Sequence, residues 1–366
     1  MSRSPQRVAW FVSPHGFGHA ARSAAVIGAL AERVPALAPT LLTTVPRWFF
    51  AESIAAEFDY GELDCDVGFV QQSAVEEDLE ATVARLEALW DGSGGVRDRL
   101  PELLRELGAT AVVADVAPLG LVAARAAGLP SVLIENFTWD WIYAGVVDRQ
   151  PRLEPWVARM RAAFLLADLR LQAEPVCAPA ASAIALPPIA RRPRTARAEV
   201  RARLGIAPGR PMVLVSMGGI ETAHGEIDRW RRLAGVDFVV PGGAGREERR
   251  DNLVLLPHHT PIFHPDLVAA ADVVAGKLGY STVAETVAAG GRYAFVPRPG
   301  FRESAVLADY VRSRLPAIEL DAGDFDSGRW VERLPDLLAR PRAAPAAADG
   351  AGVAADAIVA AGILGT

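Results

Sequence analysis

Residues 8–22 read Val8-Ala9-Trp10-Phe11-Val12-Ser13-Pro14-His15-Gly16-Phe17-Gly18-His19-Ala20-Ala21-Arg22. Val8–Val12 is an unbroken apolar run of strand length, as expected for a strand buried on both faces. Ser13-Pro14 stops it, and Gly16 and Gly18 let the backbone turn tightly and approach a ligand. Ala20–Arg33 then carries a helical period. A strand, a glycine loop and a helix in that order open a βαβ unit of a parallel sheet.

The same alternation extends outward on both sides. Strands are expected at Pro39–Thr43, Ala111–Ala114 and Ser131–Ile134, with helices at Val75–Trp90, Val96–Leu107 and Leu119–Ala127. A second series starts at Pro211–Ser216 and runs through Asp237–Val240, Leu253–Leu256, Val273–Ala275 and Tyr293–Val296. Its helices fall near Pro265–Ala270, Ser281–Ala289 and Arg302–Arg312. Between the series, the prolines and charges of Leu186–Arg194 make the best linker. The expected architecture is α/β, with two Rossmann-like domains facing across a cleft. They span residues 1–188 and 189–340, followed by an Ala-rich tail, 341–366, with the composition of a final helix or a fraying end.

Composition narrows the function. A length of 366 residues suits about two domains of ~150 residues. The chain is 51% hydrophobic and 22% charged, the balance of a globular protein, which excludes a disordered or collagen-like one. A net charge of −6 is a poor match for phosphate backbones, so nucleic acid is not an expected partner. Two distant cysteines make no disulfide framework and point to a reduced, cytoplasmic setting. No run approaches the ~18 apolar residues of a membrane helix, and the polar first residues do not read as a signal peptide. A monomer or homodimer is expected.

Post-strand loops are where open α/β sheets bind ligands. After the first strand, His19 falls at a helix start, where it could take a proton from a hydroxyl or a water. Asp115, closing the strand Ala111–Ala114, is a candidate to hold its imidazole. The spacing of Gly16-Phe17-Gly18 is not the dinucleotide fingerprint. Glu135–Tyr143 opens after another strand and offers Asn136, Trp139, Asp140 and Trp141; with His15 and Phe17 these are candidate acceptor contacts. Trp48-Phe49-Phe50 reads as partly buried helix rather than as a surface for membrane or a greasy acceptor.

In the second series, Ser216-Met217-Gly218-Gly219 follows a buried strand and suits a pyrophosphate. The absence of Gly-Lys-Ser/Thr speaks against a P-loop. Lys277-Leu278-Gly279-Tyr280-Ser281-Thr282-Val283-Ala284-Glu285 follows the next strand and contains the only lysine of the chain. Thr282 and Glu285 have the spacing of a capping box. Alternatively, Lys277 and the helix start hold phosphate while Glu285 accepts from a ribose diol. Glu303, one strand further along, is a candidate for sugar hydroxyls or an ordinary helix-start acid. His258, His259 and His264 surround prolines without a usual zinc spacing, so no metal site is expected.

Three motifs in order carry a resemblance. Gly16-Phe17-Gly18-His19-Ala20 with Arg22, Asn136–Tyr143, and Lys277–Glu285 resemble the GT-B glycosyltransferases of the MurG-like branch. They are still more similar to the glycosyltransferase-like N-terminal region of plant L-arabinokinases and its bacterial relatives. The match runs from about residue 8 to 312; these 366 residues hold no kinase region, so arabinokinase activity does not transfer. The resemblance implies a nucleotide-sugar donor of UDP or TDP type on the C-terminal domain and a small-molecule acceptor on the other. It implies His19 as base or orienting group, Glu285 on ribose, Ser216–Gly219 on the diphosphate and Glu303 near the donor sugar. The donor set is then Gly18, Ser216, Gly218, Gly219, Lys277, Gly279, Ser281, Thr282, Glu285 and Glu303. Where MurG-like sequences carry Gly-Gly-His and glutamines, this chain has Phe17-Gly18-His19 and Arg302-Glu303, which leaves donor sugar and acceptor open.

The expected activity is that of an inverting, metal-independent hexosyltransferase without a cofactor. Two alternatives share the site. Gly16-Phe17-Gly18-His19-Ala20-Ala21-Arg22 also fits the Gly-x-Gly-His-x-x-Arg loop of a nucleotide-sugar hydrolase of this fold, in which the histidine activates water. The other alternative is a non-catalytic sugar-nucleotide-binding protein.

Overall fold

A computed structural model describes residues 5–71, 76–91, 95–217 and 227–364. The chain divides into two compact units. The first comprises Met1–Ala190, Gly300–Glu303 and Ala348–Thr366, and the second comprises Arg191–Pro299 and Ser304–Ala347.

Seven parallel strands form the sheet of the first unit: β1 (Gln6–Val12), β2 (Leu37–Thr43), β3 (Asp59–Glu62), β6 (Ala111–Asp115), β7 (Ser131–Glu135), β8 (Leu169–Ala173) and β9 (Ile184–Leu186). Their order is β3-β2-β1-β6-β7-β8-β9. A separate small hairpin is made by β4 (Val70–Gln71) and β5 (Glu77–Asp78). β1 lies mid-sheet with β2 on one side and β6 on the other, so Val8–Val12 is wholly buried, as an apolar run without alternation requires. Val8, Trp10 and Val12 point to a core completed by the helix Phe17–Arg33 and by Ala351, Ala354, Ala355 and Ile358.

Those last residues lie on the helix Gly350–Ala360, so the Ala-rich end is not a free tail after the second domain. Its residues from Ala348 on belong to the first unit. Small side chains permit this: a Cβ on Gly350 would meet the Pro187 carbonyl oxygen at 2.4 Å. Arg33 also binds Asp356 at 2.6 Å.

The second unit has the sheet order β12-β13-β11-β10-β14-β15-β16, built from β10 (Met212–Ser216), β11 (Asp237–Pro241), β12 (Glu248–Arg250), β13 (Leu253–Leu256), β14 (Val273–Lys277), β15 (Tyr293–Val296) and β16 (Ala317–Glu319). Only β12 runs antiparallel to its neighbour. Its central strands feed two cores by simple alternation. Met212, Leu214, Val239 and Val274 face one; Val213, Val215, Phe238, Val240 and Ala275 face the other. Among the described residues no helix is long and apolar enough to cross a membrane. Arg47–Ser53 is a helix with Phe49 and Phe50 buried, so most of that aromatic cluster is core.

Candidate active site

The helix Phe17–Arg33 starts three residues ahead of the expected Ala20. Gly16 is its N-cap at φ 76°, a left-handed backbone that favours glycine, and no side chain caps it. His19 is therefore in the first turn, and Arg22 and Ser23 follow at i+3 and i+4 on the same face. Across from that face lies the end of β6, because Val12 pairs with Asp115 in the sheet.

All three side chains converge on the Asp115 carboxylate, which is fully buried. His19 Nδ1 lies 2.9 Å from Oδ1; Arg22 Nε donates to Oδ2 at 3.0 Å and Ser23 Oγ to Oδ2 at 2.9 Å. A second Arg22 nitrogen, Nη2, donates to Oδ1, and Nη1 donates to Asn136 Oδ1. Burial would raise the Asp115 carboxyl, but the Arg22 charge and the bonds from His19 and Arg22 outweigh it and hold it below its ordinary range. Burial lowers His19 below the ordinary histidine value. Asp115 opposes that through its hydrogen bond and charge, and the Arg22 charge reinforces it. With Asp115 ionised the imidazole proton sits on Nδ1, leaving the Nε2 lone pair as the basic site.

The expected acceptor residues divide. Asn136 is buried and spends its amide inside the protein, accepting from Arg22 and donating to the Ala173 carbonyl at 2.5 Å. Trp139 is only 1% exposed; its Nε1 donates to Asp66 Oδ2 at 2.7 Å and to the Val116 carbonyl at 3.0 Å. Both side chains are buried and hydrogen-bonded within the first unit. His15, Phe17, Asp140 and Trp141 remain partly exposed. His15 packs edge-on against Trp139 at 5.4 Å, Phe17 stacks on Phe49 at 4.7 Å, and the Arg302 guanidinium covers the Trp141 ring at 4.1 Å. Asp140 accepts from Arg161 at 3.4 Å.

Two neighbours escaped the sequence reading. Val116 follows Asp115 at φ 53°, a strained backbone for a β-branched residue, and its carbonyl is tied down by Trp139. Asp66 is buried, which raises its carboxyl to about 7 against hydrogen bonds from Ser13, Trp139 and the Val67 backbone. Between the unfolded value near 3.8 and about 7, the folded state therefore binds the extra proton. Stability contributed by this group is present below pH 4 and is lost as pH rises towards 7. Asp66→Asn keeps an acceptor for Trp139 and removes that titration. Thermal melts of the variant between pH 5 and 8 should show a shallower fall in Tm than the wild type; parallel curves would mean Asp66 is not protonated in the folded protein.

A second cluster stands in the second unit. Ser216 ends β10 opposite Gly276 of β14. Ser216 Oγ lies 3.2 Å from His264 Nε2, His264 Nδ1 lies 3.1 Å from Glu285 Oε2, and Arg191 Nε donates to Glu285 Oε1 at 2.9 Å. Burial would raise the Glu285 carboxyl; the Arg191 charge and the His264 contact prevail and lower it. The Glu285 side chain is 2% exposed with both oxygens engaged, so a diol would have to displace Arg191 or His264. It does not form a capping box either: Gly279 is the N-cap, without a side-chain cap, and Glu285 is the sixth residue of the helix Tyr280–Ala288. The His264 side chain is 30% exposed and is the accessible end of this chain of contacts. No spacing rule marks His264 or Arg191, whose partners are 21 and 94 residues away.

Lys277 ends β14, and Ser281 and Thr282 occupy the first turn after Gly279, with Thr282 buried. Gly218 and Gly219 lie outside the described residues. Gly18 is in the first turn of Phe17–Arg33, in the first unit. Glu303 begins the helix Glu303–Arg314, is buried, and also groups with the first unit. Neither therefore lies in the unit of Ser216 and Lys277, unlike Gly279, Ser281, Thr282 and Glu285. Among the described residues no group of three or more His, Cys, Asp or Glu could hold a metal ion.

The two-sheet architecture is that of the GT-B glycosyltransferases. The kitacinnamycin glycosyltransferase superposes with a TM-score of 0.63 at 17% identity, covering 99% of this chain and 100% of its own. MurG of Acinetobacter baumannii gives 0.57 at 16% identity, covering 97% and 100%. In sequence, L-arabinokinase of Arabidopsis thaliana is 28% identical over 333 residues, 89% of this chain. The chain spans about a third, 31%, of that protein's length. No protein-family model matches the chain.

Proposed function

We propose that this protein is an inverting, metal-independent glycosyltransferase. It moves a hexose from a UDP or TDP donor to a hydroxyl or amine of a small-molecule acceptor in the cytoplasm. The observation that carries this reading is the His19–Asp115 pair, buried at the carboxyl end of the first sheet of a glycosyltransferase fold. Asp115 fixes the Nδ1 proton, and Nε2 takes the acceptor proton as its oxygen or nitrogen attacks the anomeric carbon. The bond from that carbon to the diphosphate oxygen breaks on the opposite face, which inverts the configuration. The leaving nucleoside diphosphate carries the electron pair away. His19 sits below the ordinary histidine range, so it is uncharged and ready as a base at neutral pH.

On the donor side Ser216, Gly218, Gly219, Lys277 and Gly279 meet the diphosphate, with the first turn of Tyr280–Ala288 directed at its charge. Fixed dipoles and one cation then take the place of a metal. Glu285 reaches ribose by exchanging Arg191 for the diol, and Glu303 faces the sugar. His15, Phe17, Asp140 and Trp141 border the acceptor.

The test is a thermal-shift panel of UDP, TDP, GDP and ADP and their hexose conjugates. A ligand that binds only the folded state raises Tm. UDP or TDP compounds should shift the wild type, and the shift should shrink in Lys277→Met. No shift with any nucleotide would remove the donor site. A shift accompanied by nucleotide release without acceptor would instead identify a hydrolase, with water attacking in the acceptor's place.

A further inference from the structure

The His19 site holds more charge than a base and its orienting acid require. Arg22 contacts three groups at once. Its Nε and Nη2 take the two oxygens of Asp115, and Nη1 takes the Asn136 side-chain oxygen. Nη2 also stands 3.2 Å from His19 Nδ1. Because Nδ1 bears the proton, this last approach is between two donors and is held by their shared acceptor, Asp115 Oδ1. A second buried acid lies within the reach of Arg22's charge. Glu135, ending β7, is fully buried; its Oε1 accepts from Arg170 at 2.9 and 2.7 Å and from Gln172 at 2.6 Å, while Oε2 is buried without a hydrogen-bond partner.

We propose that Arg22 is the positioning residue of the His19 site. One planar guanidinium fixes the Asp115 carboxylate and the Asn136 amide together, and so fixes the imidazole with its proton on Nδ1. A planar fork is suited to this, because it binds a carboxylate through two nitrogens and keeps a third direction free for the amide. Lysine offers the charge without the fork.

The charged groups facing His19 are Arg22 on its own helix and Asp115 on β6; behind Arg22 stand Glu135 on β7 and Arg170 on β8. Two buried carboxylates are thus balanced by two guanidiniums. Removing Arg22 leaves an excess negative charge beside the imidazole, which favours its cationic form.

Two readouts separate positioning from packing. The first is the His19 Cε1 signal followed by NMR across pH in wild type, Arg22→Met and Arg22→Lys, assigned through His19→Ala. In Arg22→Met the midpoint should rise by about one pH unit or more, as loss of an adjacent charge does. In Arg22→Lys it should stay near the wild type. A folded Arg22→Met with an unmoved midpoint would overturn the proposal. The second readout uses the imidazole ¹⁵N shifts. Arg22→Lys should mix the two neutral tautomers, and a pure Nδ1–H pattern there would overturn the proposal even if Arg22→Met fails to fold.

Only the consequence for turnover rests on the glycosyltransferase reading. The acid limb of kcat should follow the imidazole midpoint. If the midpoint moves and the limb does not, Arg22 keeps its role and His19 loses that of the base.

Discussion

His19→Ala should reduce turnover by roughly 10²–10⁴-fold, the usual contribution of a positioned general base, and leave UDP or TDP binding as it was. The residue lies in the first unit and the diphosphate-binding candidates Ser216 and Lys277 lie in the second, so its loss does not alter them directly. Asp115→Asn should also be costly, since an amide can present its N–H to the imidazole and turn it to the wrong tautomer. Three measurements decide: nucleotide released from UDP- and TDP-hexoses, the Kd of the free diphosphate, and the melting temperature. Unchanged turnover in a folded His19→Ala would eliminate the base. Loss of diphosphate affinity along with turnover would move His19 from chemistry to donor binding. A binding protein without catalysis would show unchanged affinity and no turnover in either form.

The largest structural effect is expected at Gly276. Its φ of 143° is rare for L side chains, and a Cβ there would lie 2.0 Å from the Ser216 carbonyl oxygen and 2.9 Å from its carbon. Both are backbone atoms in the register pair that joins β10 to β14, so no rotamer change can relieve the clash. Gly276→Ala must push two central strands apart at the point where Ser216 leaves the sheet. A cost of at least ~3 kcal/mol is expected, or roughly 6–12 °C in the melting of a unit of this size. Weakened diphosphate binding should accompany it. Gly16→Ala is the control: its φ is 76°, but nothing lies within 4 Å of the added carbon, so only the backbone strain of about 1–3 kcal/mol is felt. Calorimetry of the two variants should therefore rank Gly276→Ala well below Gly16→Ala. Equal melting temperatures would mean that the β10–β14 approach is looser than described.

Much of this molecule could be read before its structure was known. Val8–Val12 and Met212–Val215 are apolar without alternation because helices or strands cover every side of a central parallel strand, and that burial leaves a local mark. The loop His15–His19 was recognisable because glycines are needed where a strand turns into a helix. Asp115 was legible as the residue closing a strand. The start of the first helix was misplaced by three residues because Gly16, not a serine or aspartate, caps it. Polar and aromatic residues after a strand, such as Asn136 and Trp139, face a ligand or the core with the same local sequence. Their partners within the protein, the carbonyl of Ala173 and the carboxylate of Asp66, lie 37 and 73 residues away and leave no local mark.

The sequence by itself thus determined the alternation of strands and helices, the two sheets and the loops at their carboxyl ends, since these follow from periodicity and turn chemistry within a few residues. Tertiary structure decided the rest. It chose the strand order that sets Asp115 beside Val12, and the helix face that delivers Arg22 and Ser23 to the same carboxylate. It also joined His264 and Arg191 to Glu285 and returned the Ala-rich end to the first unit. Those choices depend on which surfaces bury one another and which buried charges must be balanced, and neither is recorded in any local stretch of sequence.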